Sequence, residues 1–217
     1  MISLYSGTPG SGKSLHVAQK ILNRLNTWQL PVIANFEINL DMIKKESNRG
    51  LFHYISNNDL DPKDLVAFSR QYFGEKKVKE GEILLVIDEC QLCFNCRDWQ
   101  SNDRSGWISF FSQHRKCGYD IILVAQFDRL IDRQIRSMIE YEYIHRKVSN
   151  FGWKGKFLSL ATGNRLFIAI QHWYGAKERI ASETFLYHKK NAELYNSYKV
   201  FETDKNILYV EPECEVN

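Results

Sequence analysis

Apolar positions along the chain follow two rhythms that change over near residue 140. Before it, short and nearly unbroken apolar runs alternate with stripes at helical spacing. Ile2 to Ser6, Pro31 to Phe36, Glu82 to Ile87 and Ile121 to Ala125 read as strands buried on both faces, as central parallel strands are. Leu15, Ala18, Leu22, Leu25 and Trp28 mark a helix from Lys13 to about Trp28, and a second helix covers Ser105 to Lys116. Strand, loop, helix and strand in that order form a right-handed parallel βαβ unit. Between Glu37 and Gly81 the pattern loosens into an insertion, with a helix start at Asp61 as N-cap and Pro62 at the first helical position. Leu65, Phe68, Tyr72 and Phe73 form the stripe of that helix. After Glu140 the runs shorten and alternate: Ile139-Tyr141-Tyr143, Phe157 to Ala161, Leu166 to Trp173 and Thr184 to Tyr187 predict β hairpins or an added β region rather than further βα units. The expected division is a core over 1–150, interrupted at about 37–81, and a β-rich extension of the same domain over 151–217.

The turn after the first strand changes this picture from fold to chemistry. Gly7-Thr8-Pro9-Gly10-Ser11-Gly12-Lys13-Ser14 fits the phosphate-loop pattern G-x-x-x-x-G-K-[ST] at every position, with a strand before it and a helix, opening on Lys13-Ser14-Leu15, after it. Glycines let successive N–H groups point into one concavity, and the helix N-terminus adds its positive dipole end. Lys13 is expected to reach the β- and γ-phosphates, and the Ser14 hydroxyl to ligate Mg²⁺. The predicted class is therefore an α/β P-loop NTPase: a mainly parallel sheet flanked by helices, with hairpins at its C-terminal end.

Ile83 to Ile87 ends in two carboxylates. Asp88 is the expected partner of Mg²⁺ opposite Ser14, and Glu89, pointing the other way if the strand continues, is the expected general base for an attacking water. A GTPase carries D-x-x-G here and N-K-x-D later. This chain has Glu89-Cys90-Gln91 after Asp88 and no N-K-x-D, which favours ATP. Gln126 closes the strand Ile121 to Ala125 at the edge where parallel sheets bind ligands; it is a γ-phosphate sensor, a residue that orients the water, or a surface residue. Arg115, Arg129, Arg133 and Arg136 lie near that edge. Any one of them is more commonly a solvated residue, but Arg133 and Arg136 rank first as a cation supplied to a neighbouring subunit.

Composition adds limits. The 217 residues are 44% hydrophobic and 25% charged, ordinary for one sizeable domain. A formal charge of +3 does not indicate a strongly basic nucleic-acid protein, though a local basic patch stays open. The N-terminus lacks a signal-peptide pattern, and no apolar run approaches the roughly 20 residues of a membrane helix, so a soluble chain in a reducing cytoplasm is expected. Cys90, Cys93 and Cys96 have cluster-like spacing without an evident fourth ligand, and burial is the favoured account. Around Trp153-Lys154-Gly155-Lys156 a base-stacking platform competes with plain packing or a subunit interface, which is favoured.

The phosphate loop, the strand ending in Asp88-Glu89, the run His114-Arg115-Lys116-Cys117-Gly118-Tyr119-Asp120-Ile121-Ile122-Leu123-Val124-Ala125-Gln126, and Asp132-Arg133-Gln134-Ile135-Arg136 together resemble the Zot (zonula occludens toxin) family. The likeness is strong over about residues 1–145, and Leu194-Tyr195-Asn196-Ser197-Tyr198 also resembles the end of that family's ATPase domain. The resemblance implies a cytoplasmic ATPase domain of a phage assembly and export protein, anchored in the host inner membrane by a helix this sequence does not show. It implies phage assembly or membrane proteins as partners and a homo-oligomer, such as a ring, as the active form. A DNA translocase of the same class, with DNA as a partner, and a non-hydrolysing scaffold are the alternatives; intact Lys13, Ser14, Asp88 and Glu89 argue against the scaffold.

Overall fold

The computed structural model describes residues 1–44, 51–95, 103–163 and 165–194. Eight strands form one sheet: β1 (Ile2–Ser6), β2 (Val32–Ala34), β3 (Phe52–Tyr54), β4 (Ile83–Ile87), β5 (Tyr119–Val124), β6 (Tyr141–Lys147), β7 (Leu166–Trp173) and β8 (Glu178–Leu186). Their spatial order is β3-β2-β4-β5-β1-β6-β7-β8. Strands β3 through β6 in that order run parallel, and β7 and β8 pair antiparallel onto β6. The parallel arrangement brings the C-terminal ends of β1, β4 and β5 to one edge, where the phosphate loop, Asp88-Glu89 and Gln126 follow them.

The buried strands split their residues by a period of two. Ile2, Leu4, Ile33, Ile83, Leu85, Ile87, Ile121 and Leu123 belong to one core, with Trp107, Phe110 and Phe111 of helix α3 (Asp103–Gln113) and Ile135 of the short helix α4 (Arg133–Arg136). Helix α2 (Pro62–Phe73) adds Leu65 and Phe73 to it, capped as expected by Asp61, whose side chain accepts from Lys63 N. Tyr5, Val32, Ala34, Leu84, Val86, Ile122 and Val124 face a second core under helix α1 (Lys13–Asn23).

Four expectations need correction. The Ile139-Tyr141-Tyr143 run opens a sixth parallel strand beside β1, extending the parallel part of the sheet, while β7 and β8 are the added antiparallel strands on its other edge. Its alternation arises because Tyr143 and His145 are buried toward α1 while Ile144 and Arg146 line an open concavity. Phe157 to Ala161 belongs to helix α5 (Gly152–Ala161); Trp153, Phe157 and Leu160 stand at helical spacing, a period of 3.6 that short apolar runs conceal. The first helix changes to a π-helical turn over Arg24–Trp28, and Trp28 is exposed, while Val17 and Ile21 join Leu15, Ala18 and Leu25 on the buried side. The loose segment after Phe36 contributes an edge strand, β3, and helix α2, which crosses from β3 to β4. A sixth helix, α6 (Lys189–Glu193), ends the described chain, and of the Leu194–Tyr198 run only Leu194 lies within it.

Candidate nucleotide-binding site

The loop between β1 and α1 is held open by backbone shape. Gly7 and Gly12 have φ of 140° and 96°, conformations that L side chains rarely adopt. A Cβ at Gly7 would stand 2.6 Å from His145 O and 2.8 Å from Ser11 Oγ; one at Gly12 would stand 2.7 Å from the Phe167 ring. The loop is thus pressed onto β6 and β7, with no room for side chains at those turns. Gly7 N–H donates to Gln126 O at 3.3 Å and Ser11 N–H to Thr8 O at 3.1 Å, tying the loop to the end of β5 and to itself. Thr8, Pro9 and Gly10 are exposed, whereas Ser11 and Leu15 are buried. Ser11 Oγ is buried without a hydrogen-bond partner among the described residues.

Lys13 Nζ donates to Gly7 O at 2.7 Å and Thr8 O at 3.4 Å. Burial pulls its pKa below the ordinary lysine value, and the Glu89 and Asp88 carboxylates oppose that shift. Both acids therefore act on the loop's cation. This corrects the expectation that Glu89 points away from Asp88. The strand stops at Ile87, and Glu89 has φ 46°, a left-handed conformation that breaks the alternation. The strained turn is pinned. Asp88 Oδ1 accepts from Glu89 N at 2.9 Å, Gln91 Nε2 donates to Glu89 Oε2, and Cys90 N–H donates to Val124 O at 2.9 Å.

These residues suit an Mg²⁺–triphosphate group. The loop brings backbone N–H groups, the Lys13 ammonium and the Ser14 hydroxyl to the strand edge, its glycines pressed onto β6 and β7, and Asp88-Glu89 follows β4 at the same edge. Gln126 is half-buried, with its carbonyl on Gly7 N–H, and lines a concavity of about 440 Å³ beside the loop together with Thr8, Glu142 and Arg146. Arg133 is exposed and Arg136 half-buried on α4; among the described residues neither makes a hydrogen bond or ion pair to the phosphate loop. Cys90 and Cys93 pack in the core near Phe94, burial pushing the Cys93 thiol up to about 11 and Cys90 upward as well. Cys96 lies outside the described residues.

A family model described as zonular occludens toxin (Zot) matches residues 1–197. The chain belongs to the Zot family. The Gene 1 protein of Enterobacteria phage fd is 29% identical over 203 residues, which are 89% of this chain and 57% of that protein. The Gene 1 protein of Salmonella phage IKe is 29% identical over 155 residues, 66% of this chain and 41% of that protein. The chain thus spans about half the length of the curated relatives it matches, from 41% to 57%. Among solved structures, the N-terminal domain of zonular occludens toxin from Neisseria meningitidis superposes with a TM-score of 0.51 at 18% identity, covering 90% of this chain and 98% of that one. The genome-packaging NTPase B204 from Sulfolobus turreted icosahedral virus 2, in complex with AMP, gives 0.53 at 15%, covering 86% and 98%. A further solved ATPase domain gives 0.57 at 9%, covering 90% and 84%. These likenesses establish the P-loop ATPase fold.

Within this Zot chain, sequence reasoning passed over three groups that shape the site. Asn35, just past β2, is buried; its Oδ1 accepts from Asp88 N at 2.7 Å and its Nδ2 donates to Asp88 O at 2.8 Å and to Asn57 Oδ1 at 2.7 Å. It clamps the backbone of the acidic turn. The available signal was a polar residue ending an apolar strand at the same edge as Asp88 and Gln126. Glu142 accepts from Ser6 Oγ at 2.7 Å and from Lys177 Nζ at 3.2 Å, steadying the end of β1.

The third group is a hydrogen-bonded chain beneath the loop. His145 Nδ1 lies 2.9 Å from Tyr143 O, His145 Nε2 lies 2.9 Å from His16 Nδ1, and His16 Nε2 lies 3.2 Å from Glu183 Oε2. Tyr5, Tyr143 and Phe185 ring the pair. Two neutral rings carry two protons for these three links, and only a third proton, bringing one shared positive charge beside the Glu183 carboxylate, would fill them all. Burial opposes that charge, lowering His16 and taking His145 down to about 3. Glu183 is drawn down to about 2, chiefly by the His16 hydrogen bond.

Proposed function

We propose that this chain is the ATP-hydrolysing motor domain of a protein that assembles and extrudes filamentous phage at the host inner membrane. The observation that carries the hydrolytic part is that the Lys13 loop and the Asp88-Glu89 turn follow the ends of parallel strands β1 and β4 at one sheet edge, with both carboxylates near enough to raise the Lys13 pKa against burial. The loop N–H groups and Lys13 bind the phosphates of ATP, and Ser14 and Asp88 hold Mg²⁺. The bound metal would neutralise phosphate charge. Glu89, fixed by Gln91, accepts a proton from the attacking water, and Gln126 orients that water. The phage role rests on family membership and on the similarity to Gene 1 proteins. An inner-membrane location is part of the proposal for the longer protein; among the described residues no helix is long and apolar enough to cross a membrane. Arg133 or Arg136 would complete the site of a neighbouring subunit in a homo-oligomer.

Lys13→Ala should weaken ATP binding, and Glu89→Gln should keep it while slowing single-turnover hydrolysis by about 10²–10⁴. An unchanged single-turnover rate in Glu89→Gln would remove the general base from the reading. Mixing Arg136→Ala with Lys13→Ala chains should restore some activity, and a dead mixture would remove the shared site. Stimulation of the rate by DNA would move the assignment from extrusion to DNA translocation.

A further inference from the structure

Helix α5 presents an apolar stripe outward. Trp153, Phe157 and Leu160 are 77%, 75% and 79% exposed, and Phe151, one residue before the helix, is 39% exposed. Positions 153, 157 and 160 share one side of a helix. The opposite side is committed: Gly155 is buried, and a Cβ there would stand 2.3 Å from Val148 O. The glycine lets the helix press onto the turn at Val148–Asn150, so the stripe faces out by construction. An exposed apolar cluster of this size marks a surface that binds something.

Charge selects the occupant. From Tyr143 to Lys177 the chain has six basic residues and no acidic one. The whole chain carries +3, so the rest of it sums to −3. Lys177 is engaged with Glu142 and Asp128, but Arg146, Lys147, Lys156 and Arg165 make no ion pair among the described residues. Arg146 stands 5.9 Å over the Phe151 ring, at the foot of the helix. Trp, Phe and Leu on one helical face with cations beside them match an interfacial helix on an anionic bilayer. A second copy of the chain would bring the same positive segment against itself. A nucleic acid would use flat aromatic platforms along a groove, whereas this stripe is convex and ends in an aliphatic residue.

We infer that α5 is a membrane-surface anchor, seating Trp153, Phe157 and Leu160 among the acyl chains of an anionic leaflet while Arg146, Lys147, Lys156 and Arg165 meet its headgroups. Helix α5 joins the ends of β6 and β7 at the sheet edge that carries the phosphate loop. Docking would therefore hold the nucleotide site next to the bilayer. The inference does not rest on ATP hydrolysis, and it stands or falls separately from that reading.

The test is sedimentation of the full chain with vesicles of phosphatidylcholine alone and of phosphatidylcholine with one-quarter phosphatidylglycerol. Binding is expected only to the anionic vesicles. A triple change of Trp153, Phe157 and Leu160 to Ser should weaken it at least roughly tenfold, and Lys156→Glu about fivefold or more. Thermal melting of both variants should match the parent, because the altered side chains are exposed. Absence of binding to anionic vesicles overturns the inference. So does binding that the triple variant retains, which would be charge attraction alone. Binding of single-stranded DNA through these residues without vesicle binding would assign the surface to nucleic acid. Self-association lost in the triple variant, again without vesicle binding, would assign it to a second copy; either result overturns the lipid assignment.

Discussion

The two sides of the sheet, divided at β6, are built on different terms. Strands β1, β4 and β5 are buried almost throughout, each serving two cores at once. Strand β8 at the far edge buries only Phe185 and is otherwise exposed from Glu178 to Leu186. The chemistry sits on the buried side, because a phosphate loop needs strand ends that do not move. The β7–β8 hairpin supports it from one side, with Phe167 against Gly12, Phe185 against His16, and Glu183 on His16 and Lys20. Stability should therefore be concentrated at β1, β4 and β5 and become sparse across β8.

Breaking the buried side should give the largest effect. Leu85 is fully buried in the middle of β4, so Leu85→Ala should cost about 2–5 kcal/mol, read from urea unfolding. A loss below the cost of a surface change would show that β4 is not the centre of the fold. Next is Asn35→Ala, which leaves Asp88 N–H and C=O without their partner in a half-buried place. That should cost about 1–3 kcal/mol and slow turnover more than it weakens ATP binding. A variant that loses stability but keeps its turnover would make Asn35 a packing residue and not a positioning one.

Acid should sharpen the contrast through the His145–His16–Glu183 chain, one of the charged links that tie the hairpin to the rest of the fold. His145 stays neutral in the fold down to about 3, whereas in the unfolded chain it protonates near the ordinary value of 6.5. Glu183 stays ionised down to about 2 against an ordinary 4.5. In both cases the unfolded state binds more protons over the window, so stability falls as pH drops, first from about 6.5 through His145 and then below 4.5 through Glu183. The Glu183 part is softened by solvent, its side chain being 46% exposed. Urea midpoints should fall from about pH 7 to about pH 5, and Glu183→Gln should flatten the further fall below 4.5. Equal midpoints at those two pH values would mean that His145 is not held neutral.

The same division governs what can be read in the sequence. Continuous apolar runs and an eight-residue loop pattern are local signals, so β1, β4, β5 and the loop are legible. Strand β6 reads as a hairpin because half of it faces a concavity, which gives it a hairpin's alternation. Helix α5 escapes notice because Trp153, Phe157 and Leu160 are outside, the reverse of the usual pattern. The reach of Asn35 to Asp88, of His16 to His145 and of His16 to Glu183 joins residues more than fifty positions apart, and only the strand order brings them together. The direction of Glu89 depends on one backbone angle that spacing cannot reveal.

The smallest effect is expected at the exposed edge. Ile180 lies in β8, 54% exposed, on a strand that pairs with β7 on one side and has no described strand on the other. Threonine keeps the branched Cβ that suits a strand, and its hydroxyl meets water, so Ile180→Thr removes little buried area and strands no polar group. Surface changes of this kind stay within about 0.5 kcal/mol. The measurement is the urea midpoint at fixed slope, beside Leu85→Ala in the same buffer. A midpoint near the parent's, with Leu85→Ala far below it, supports a fold whose stability is concentrated in its parallel side. A loss above about 1 kcal/mol would mean that this face of β8 is covered in solution, and covering it would take an interface on the edge strand.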